Sequence, residues 1–192
     1  STNTILYLMY KENNIEIPKD IAGLMLSGIL SDTLILTSPT TTDIDREIVP
    51  ILAAIAGVDY KVYGKQMIKA GASLEGKTEE DVIYTDFKNY PCNNLKLGIG
   101  QFSTVSVDEI LDKKENYINT IENICSKEEY YLVAFFVTDV IENGSYIFFN
   151  KSARDVLAKC FNVDNLEEGS FLPGVVSRKK QVVPVLLNTL EN

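Results

Sequence analysis

At 192 residues and a formal net charge of −9, the chain can bury a core as one large domain or two small ones, and its acidity argues against a nucleic-acid partner. No apolar run reaches the roughly 20 residues that a membrane-spanning helix needs, and the N-terminus lacks the basic-then-apolar pattern of a secretion signal. The absence of histidine excludes a Ser-His-Asp or Cys-His mechanism within this chain and leaves any metal chemistry to carboxylates.

Residues 1 to 13 read as a helix with Ile5, Leu8 and Met9 on one face. Pro18 sits where a helix favours a first-turn proline, and Ile21 to Leu30 is apolar nearly all round, which predicts a buried helix. That helix ends on Ser31-Asp32-Thr33, followed by Leu34-Ile35-Leu36 and a polar turn over 37 to 42. Thr42 or Asp43 can cap the next helix, which runs to Gly57, and a further helix covers Tyr60 to Ala70. Small and polar residues over 71 to 77 form a linker, so the domain division is set at 1–72 and 73–192.

Beyond it the period changes. Val82 to Tyr90 and Leu95 to Val105 read as adjacent strands, and Asp108 to Cys125 as one helix. Tyr130 to Val140 and Ser145 to Asn150 form a hairpin around Glu142-Asn143-Gly144. Ser152 to Phe161 is a helix, and a last helix opens near Pro184. The predicted class is α/β: a helical segment followed by an α+β domain with a mixed sheet flanked by helices. Cys92, Cys125 and Cys160 are far apart and odd in number, which predicts buried thiols in a reducing cytoplasm.

Three places could carry chemistry. Asp32 ends an apolar helix and needs either a capping partner or a metal ion, because a lone buried charge is costly. Ser177-Arg178-Lys179-Lys180 puts adjacent cations in an acidic chain, as a solvated run or as an anion clamp. Lys88 alternates with Phe87 in a predicted strand, sharing a face with Asp86, and taken alone reads as an exposed strand residue. Asp139 reads as a strand-end carboxylate before a turn, and Gly98 and Gly100 as strand or bulge glycines.

Taken together, these strings resemble a known family. The segment from Ile21 to Thr33 with Ser38-Pro39-Thr40-Thr41-Thr42 is similar to the last metal-site segment of family II inorganic pyrophosphatases, members of the DHH phosphoesterase superfamily. Residues 67 to 72 (MIKAGA) resemble their interdomain junction, and 174 to 184 (GVVSRKKQVVP) their C-terminal substrate-binding signature. The resemblance covers essentially the whole chain.

It implies that Asp32 is a metal ligand for manganese or cobalt, with magnesium arriving on the substrate. It further implies that Lys88, Arg178 and Lys179 hold pyrophosphate, which is hydrolysed to two phosphates by water activated between two metals. Residues 1–72 would then be the C-terminal remnant of a DHH catalytic domain, and 73–192 the substrate-binding domain of a cytoplasmic homodimer. The family's histidine-bearing motifs are absent, so this sequence reads as a fragment, inactive alone, of a longer protein with or without a CBS pair. The rivals are a DHH phosphoesterase for polyphosphate or nucleotides, and a non-catalytic phosphate-binding module.

Overall fold

The computed structural model describes residues 1–191 and divides into two units, Ser1–Gly71 and Ala72–Asn192. The first is helical, with α1 (Thr2–Glu12), α2 (Lys19–Thr33), α3 (Asp43–Ala56) and α4 (Tyr60–Gly71). Its best-defined start is that of α3. There the Thr42 hydroxyl accepts from the Asp45 amide at 3.2 Å, and the Asp45 carboxylate accepts from the Thr42 amide at 2.9 Å. This reciprocal cap satisfies two amides that the helix would otherwise orphan. Gly57 closes the helix in the left-handed conformation.

Met25, Leu26, Ile29 and Leu30 of α2 pack on Ile48, Val49, Leu52 and Ala53 of α3 to form this unit's core. The face of α1 departs from the expectation. Thr4 and Tyr7 are the buried residues, while Ile5, Leu8 and Met9 point to solvent. The Thr4 hydroxyl donates to the buried Asp45 carboxylate, and this bond turns the polar residue inward. Nor is α2 buried all round, for Leu24 is 68% exposed.

The second unit is a mixed sheet with helices on both faces. Its strands are β1 (Phe87–Cys92), β2 (Leu95–Thr104), β3 (Leu132–Asp139), β4 (Gly144–Phe149) and β5 (Ser170–Pro173), in that spatial order. β2 and β3 are parallel and the other neighbours antiparallel. The parallel pair needs a crossover, supplied by α6 (Asp108–Asp112) and α7 (Lys114–Lys127).

Alternation splits the strands between two cores. Phe102, Val133, Phe135, Val137 and Phe148 meet α5 (Glu79–Tyr84), α6 and α7 on one face. Leu97, Ile99, Phe136, Ile147 and Phe149 meet α8 (Arg154–Phe161) and α9 (Val183–Glu191) on the other. β3 is buried along its whole length, so its sequence is a continuous apolar run.

Several boundaries differ from the sequence reading. The segment read as a strand from Val82 is helical through Tyr84, because Thr78 and Asp81 form a second reciprocal cap that nucleates α5. The helix read over Asp108 to Cys125 is interrupted at Lys113. β5 was not read, since four residues ending on proline carry little alternation. Asp139 ends β3, as read, and its carboxylate accepts from the amides of Ile141 and Glu142 in the following turn at 2.8 and 3.0 Å. Gly98 and Gly100 leave room for the Phe87 ring, since a Cβ on Gly98 would stand 2.3 Å from its Cζ. The cysteines are free thiols. Among the described residues no helix is long and apolar enough to cross a membrane.

Candidate functional site

Lys88, Arg178 and Lys179 belong to the second unit, and Asp32 to the first. The anchor of the second-unit site is the loop before α9. Gly174 turns the chain at a φ of 72°, and a single π-helical turn over Arg178–Val182 leads into α9. Such turns are rare and concentrate at functional sites. The sequence reading began the last helix near Pro184, whereas helical structure already runs from Arg178.

Each polar residue of the loop has a defined task. The Ser177 hydroxyl caps the turn, accepting from the Lys180 amide at 3.3 Å. The Gln181 side chain accepts from the amides of Val176 and Ser177 at 2.9 and 3.0 Å and donates to the Gly174 carbonyl at 2.7 Å. From the sheet, Gln101 of β2 donates to the Val176 carbonyl at 2.9 Å and accepts from the Arg178 amide at 3.1 Å. Ser145 of β4 donates to the Val175 carbonyl at 2.6 Å. Gln101 also donates to Thr138 of β3, so β2 and β4 grip the loop and β3 braces Gln101 towards the end of the parallel pair. Ligands in α/β sheets collect beyond the carboxyl ends of parallel strands.

Arg178 departs most from the expectation of an open cationic run. Its side chain is only 7% exposed. Nη2 donates to both Asp86 carboxylate oxygens at 2.8 and 2.9 Å, and Nη1 donates to the carbonyls of Asp86 and Ile99. Nε is buried without a partner. Arg178 therefore ties the loop to the start of β1 and to β2.

Lys88, in β1, lies two residues after Asp86, which precedes the strand. Its register partner is Ile99, which belongs to the core under α8 and α9, so Lys88 stands on the face that carries the loop. Lys88, Lys179 and Lys180 are exposed, and among the described residues none of them forms an ion pair. The fold thus gathers these cations around one anchored turn. Sequence reasoning missed Asp86, Gln101 and Gln181 as builders of this site. Only Gln181 carried a signal, as the last residue of the Ser-Arg-Lys-Lys-Gln string.

Asp32 sits near the C-terminus of α2 and is exposed. The anticipated buried charge is therefore not buried, and neither a cap nor a partner engages its carboxylate among the described residues. What is ordered there is the backbone. Leu34, Ile35 and Leu36 all adopt left-handed conformations, with φ of 47°, 55° and 66°. For Leu and a β-branched Ile this is strained, and it persists only when its surroundings over-determine it. The bonds that do so run from the Ile35 amide to the Leu30 carbonyl at 2.9 Å, from the Leu36 amide to the Thr33 hydroxyl at 3.2 Å, and from Arg46 to the Leu36 carbonyl at 3.1 Å. The Thr40 hydroxyl donates to the Asp32 carbonyl at 2.9 Å.

Among the described residues no three Cys, Asp or Glu side chains converge to hold a metal. One exposed carboxylate in a chain without histidine falls short of the ligand set that manganese requires. The residues present do not by themselves fit a catalytic metal centre.

A mixed sheet flanked by helices, with a cation-bearing turn anchored on β2 and β4, defines an α/β module. Residues 65–189 match the DHHA2 domain, and the chain belongs to that family. It is 43% identical over 192 residues to a Lactobacillus johnsonii protein named a probable manganese-dependent inorganic pyrophosphatase, covering 99% of this chain and 62% of the relative. A Staphylococcus saprophyticus protein of the same name is 42% identical over 189 residues, covering 98% and 61%. A crystal structure from Methanococcus jannaschii, assigned to the family II inorganic pyrophosphatases, superposes with a TM-score of 0.85 at 37% identity, covering 100% of this chain and 65% of that one. The chain spans less than two thirds of the length of these relatives.

Proposed function

We propose that this chain is the phosphate-holding part of a manganese-dependent inorganic pyrophosphatase, an enzyme that splits pyrophosphate into two phosphates. The observation that carries the reading is that Lys88 and Lys179, which form no ion pair among the described residues, lie around the anchored Gly174–Gln181 loop in a chain of net charge −9. Its likeness to proteins of that name supports it.

In this reading Lys88, Arg178 and Lys179 contact phosphate oxygens, and Arg178 also holds the loop that presents them. Cations fixed in place before the reaction stabilise charge that builds on a leaving phosphate without reorganising. Asp32 supplies one hard oxygen ligand, its backbone fixed by the left-handed turn after it. Manganese, or cobalt in its place, would need further ligands beside Asp32. Residues 1–72 are then part of a DHH catalytic domain and 73–192 the substrate domain, in a cytoplasmic homodimer.

Calorimetric titration of the chain with pyrophosphate, phosphate and tripolyphosphate tests the substrate. Saturable binding of pyrophosphate is expected, weakened about tenfold by Lys179→Ala or Lys88→Ala, the loss of one charge-assisted contact of ~1.4 kcal/mol. Equal affinity in both variants would remove the assignment. Preference for tripolyphosphate would move it to a polyphosphate-directed relative.

A further inference from the structure

Arg178 cannot receive a phosphate as it stands. Both Nη atoms are committed to Asp86 and to the carbonyls of Asp86 and Ile99, and the one donor left over, Nε, is buried without a partner. A guanidinium has five N–H groups in a fixed fork whose natural partners are planar carboxylates and phosphates. Here Nη2 is already filled by a carboxylate and Nη1 by two backbone carbonyls. An orphaned donor on a charged, buried group is unfavourable, so this arrangement leaves Arg178 with an unmet valence that a different partner could satisfy. The Asp86 side chain, by contrast, is 50% exposed and can turn into water at little cost.

We propose that Asp86 is an internal stand-in for phosphate, a carboxylate clasp on Arg178 that a phosphate group of the bound anion displaces. The inference rests on the pyrophosphate reading of the same loop. The Asp86 carboxylate leaves Nη2 and is hydrated, and a phosphate oxygen pair takes Nη2 together with the orphaned Nε donor beside it. The Arg178 amide stays on Gln101, and Gln181 keeps the loop backbone in place, so the exchange is confined to one side chain. No proton or covalent bond moves. Asp86 precedes β1 and lies two residues before Lys88, so the exchange takes place beside a second cation. The clasp sets a threshold: monoanions that pair weakly with a guanidinium do not open it, whereas a multiply charged phosphate does.

The test uses the whole chain in four forms: unaltered, Asp86→Asn, Arg178→Lys and the double variant, each titrated calorimetrically with pyrophosphate at low salt. Removing the competitor should tighten binding by Asp86→Asn on the order of tenfold, and the gain should vanish when Arg178 is already lysine, a coupling between contacting residues. A gain that persists in the double variant is general charge relief and overturns the clasp. So does weaker binding by Asp86→Asn, which would make Asp86 a support for Arg178. If the unaltered chain binds pyrophosphate and Asp86→Asn matches it, the clasp alone falls. If no form binds, the phosphate reading falls with it.

Side-chain NMR of the unaltered chain, labelled at arginine nitrogens and aspartate carboxyls, avoids any loss of folding in the variants. Pyrophosphate should shift the Arg178 Nη signals and move the Asp86 carboxyl signal towards that of a hydrated carboxylate. Unchanged signals at saturation would overturn the exchange.

Discussion

Replacing Arg178 by alanine should unsettle the second unit before any question of turnover arises. A lysine or arginine in a solvated run changes stability by no more than about 0.5 kcal/mol when removed, and the bare sequence invites that expectation for all three cations. The structure separates them. Arg178→Ala removes a bidentate pair with Asp86, worth about 1 kcal/mol because the carboxylate is half exposed and screened. It removes donors from two backbone carbonyls at roughly 1 kcal/mol each, although the Asp86 carbonyl keeps its bond from the Gln101 amide. The buried stem adds up to about 1 kcal/mol. The loss should total about 2–4 kcal/mol, a fall of on the order of 1–2 M in the urea midpoint. Far-UV circular dichroism of the unaltered chain, Arg178→Ala and Lys179→Ala in urea reads this directly. Lys179→Ala should superpose on the unaltered curve. An Arg178→Ala midpoint equally unmoved would mean that the ties to Asp86 and Ile99 do not hold in solution, and the anchoring argument would fail.

The first unit carries a pH signature. Burial pushes the Asp45 carboxyl up, but hydrogen bonds from Thr4 and Thr42 outweigh it and leave its pKa below the usual value. A depressed carboxylate stabilises the fold above its unfolded pKa of about 3.9 and loses that contribution as pH falls through the folded value. Melts of the chain should therefore show the first unit weakening below about pH 4, and Asp45→Asn should flatten that dependence. In the sheet, Gly100→Ala should destabilise by about 1–3 kcal/mol in the same urea assay, since its Cβ would stand 2.9 Å from the Ile83 carbonyl and 3.0 Å from the Phe135 ring.

What the sequence disclosed depended on whether the cause was local. Asn143-Gly144 announced the β3–β4 turn because the left-handed φ of Asn143 and the start of β4 at Gly144 are properties of those residues. The helix after Thr42 was legible from its cap. Two local signals were misweighed. Thr78 and Asp81 form the same cap as Thr42 and Asp45, yet Val82 and Ile83 after them read as β-branched strand residues. In α1 the apolar set Ile5, Leu8 and Met9 masked the polar contact of Thr4 with Asp45, 41 positions away.

The site was legible as a string and illegible as an arrangement. Ser177-Arg178-Lys179-Lys180-Gln181 advertises cations, but whether a cation faces water or the sheet depends on a partner elsewhere in the chain. The partner of Arg178 is Asp86, 92 positions away. That of the Arg178 amide is Gln101. Asp32 shows the reverse: a carboxylate in the last turn of an apolar helix looked buried, and it lies with Ser31 on the exposed side of α2.

On the proposed reading, the turn before α9 and the first half of β1 together hold phosphate. The most direct measurement is a backbone amide NMR titration of the chain with pyrophosphate, followed residue by residue. Saturable shifts concentrated at residues 86 to 89 and 174 to 182, and small in α7, α8 and the helices of the first unit, are the predicted result. Shifts that never saturate, or that spread over surface lysines such as Lys11, Lys61 and Lys127 as strongly as over Lys88 and Lys179, would contradict it.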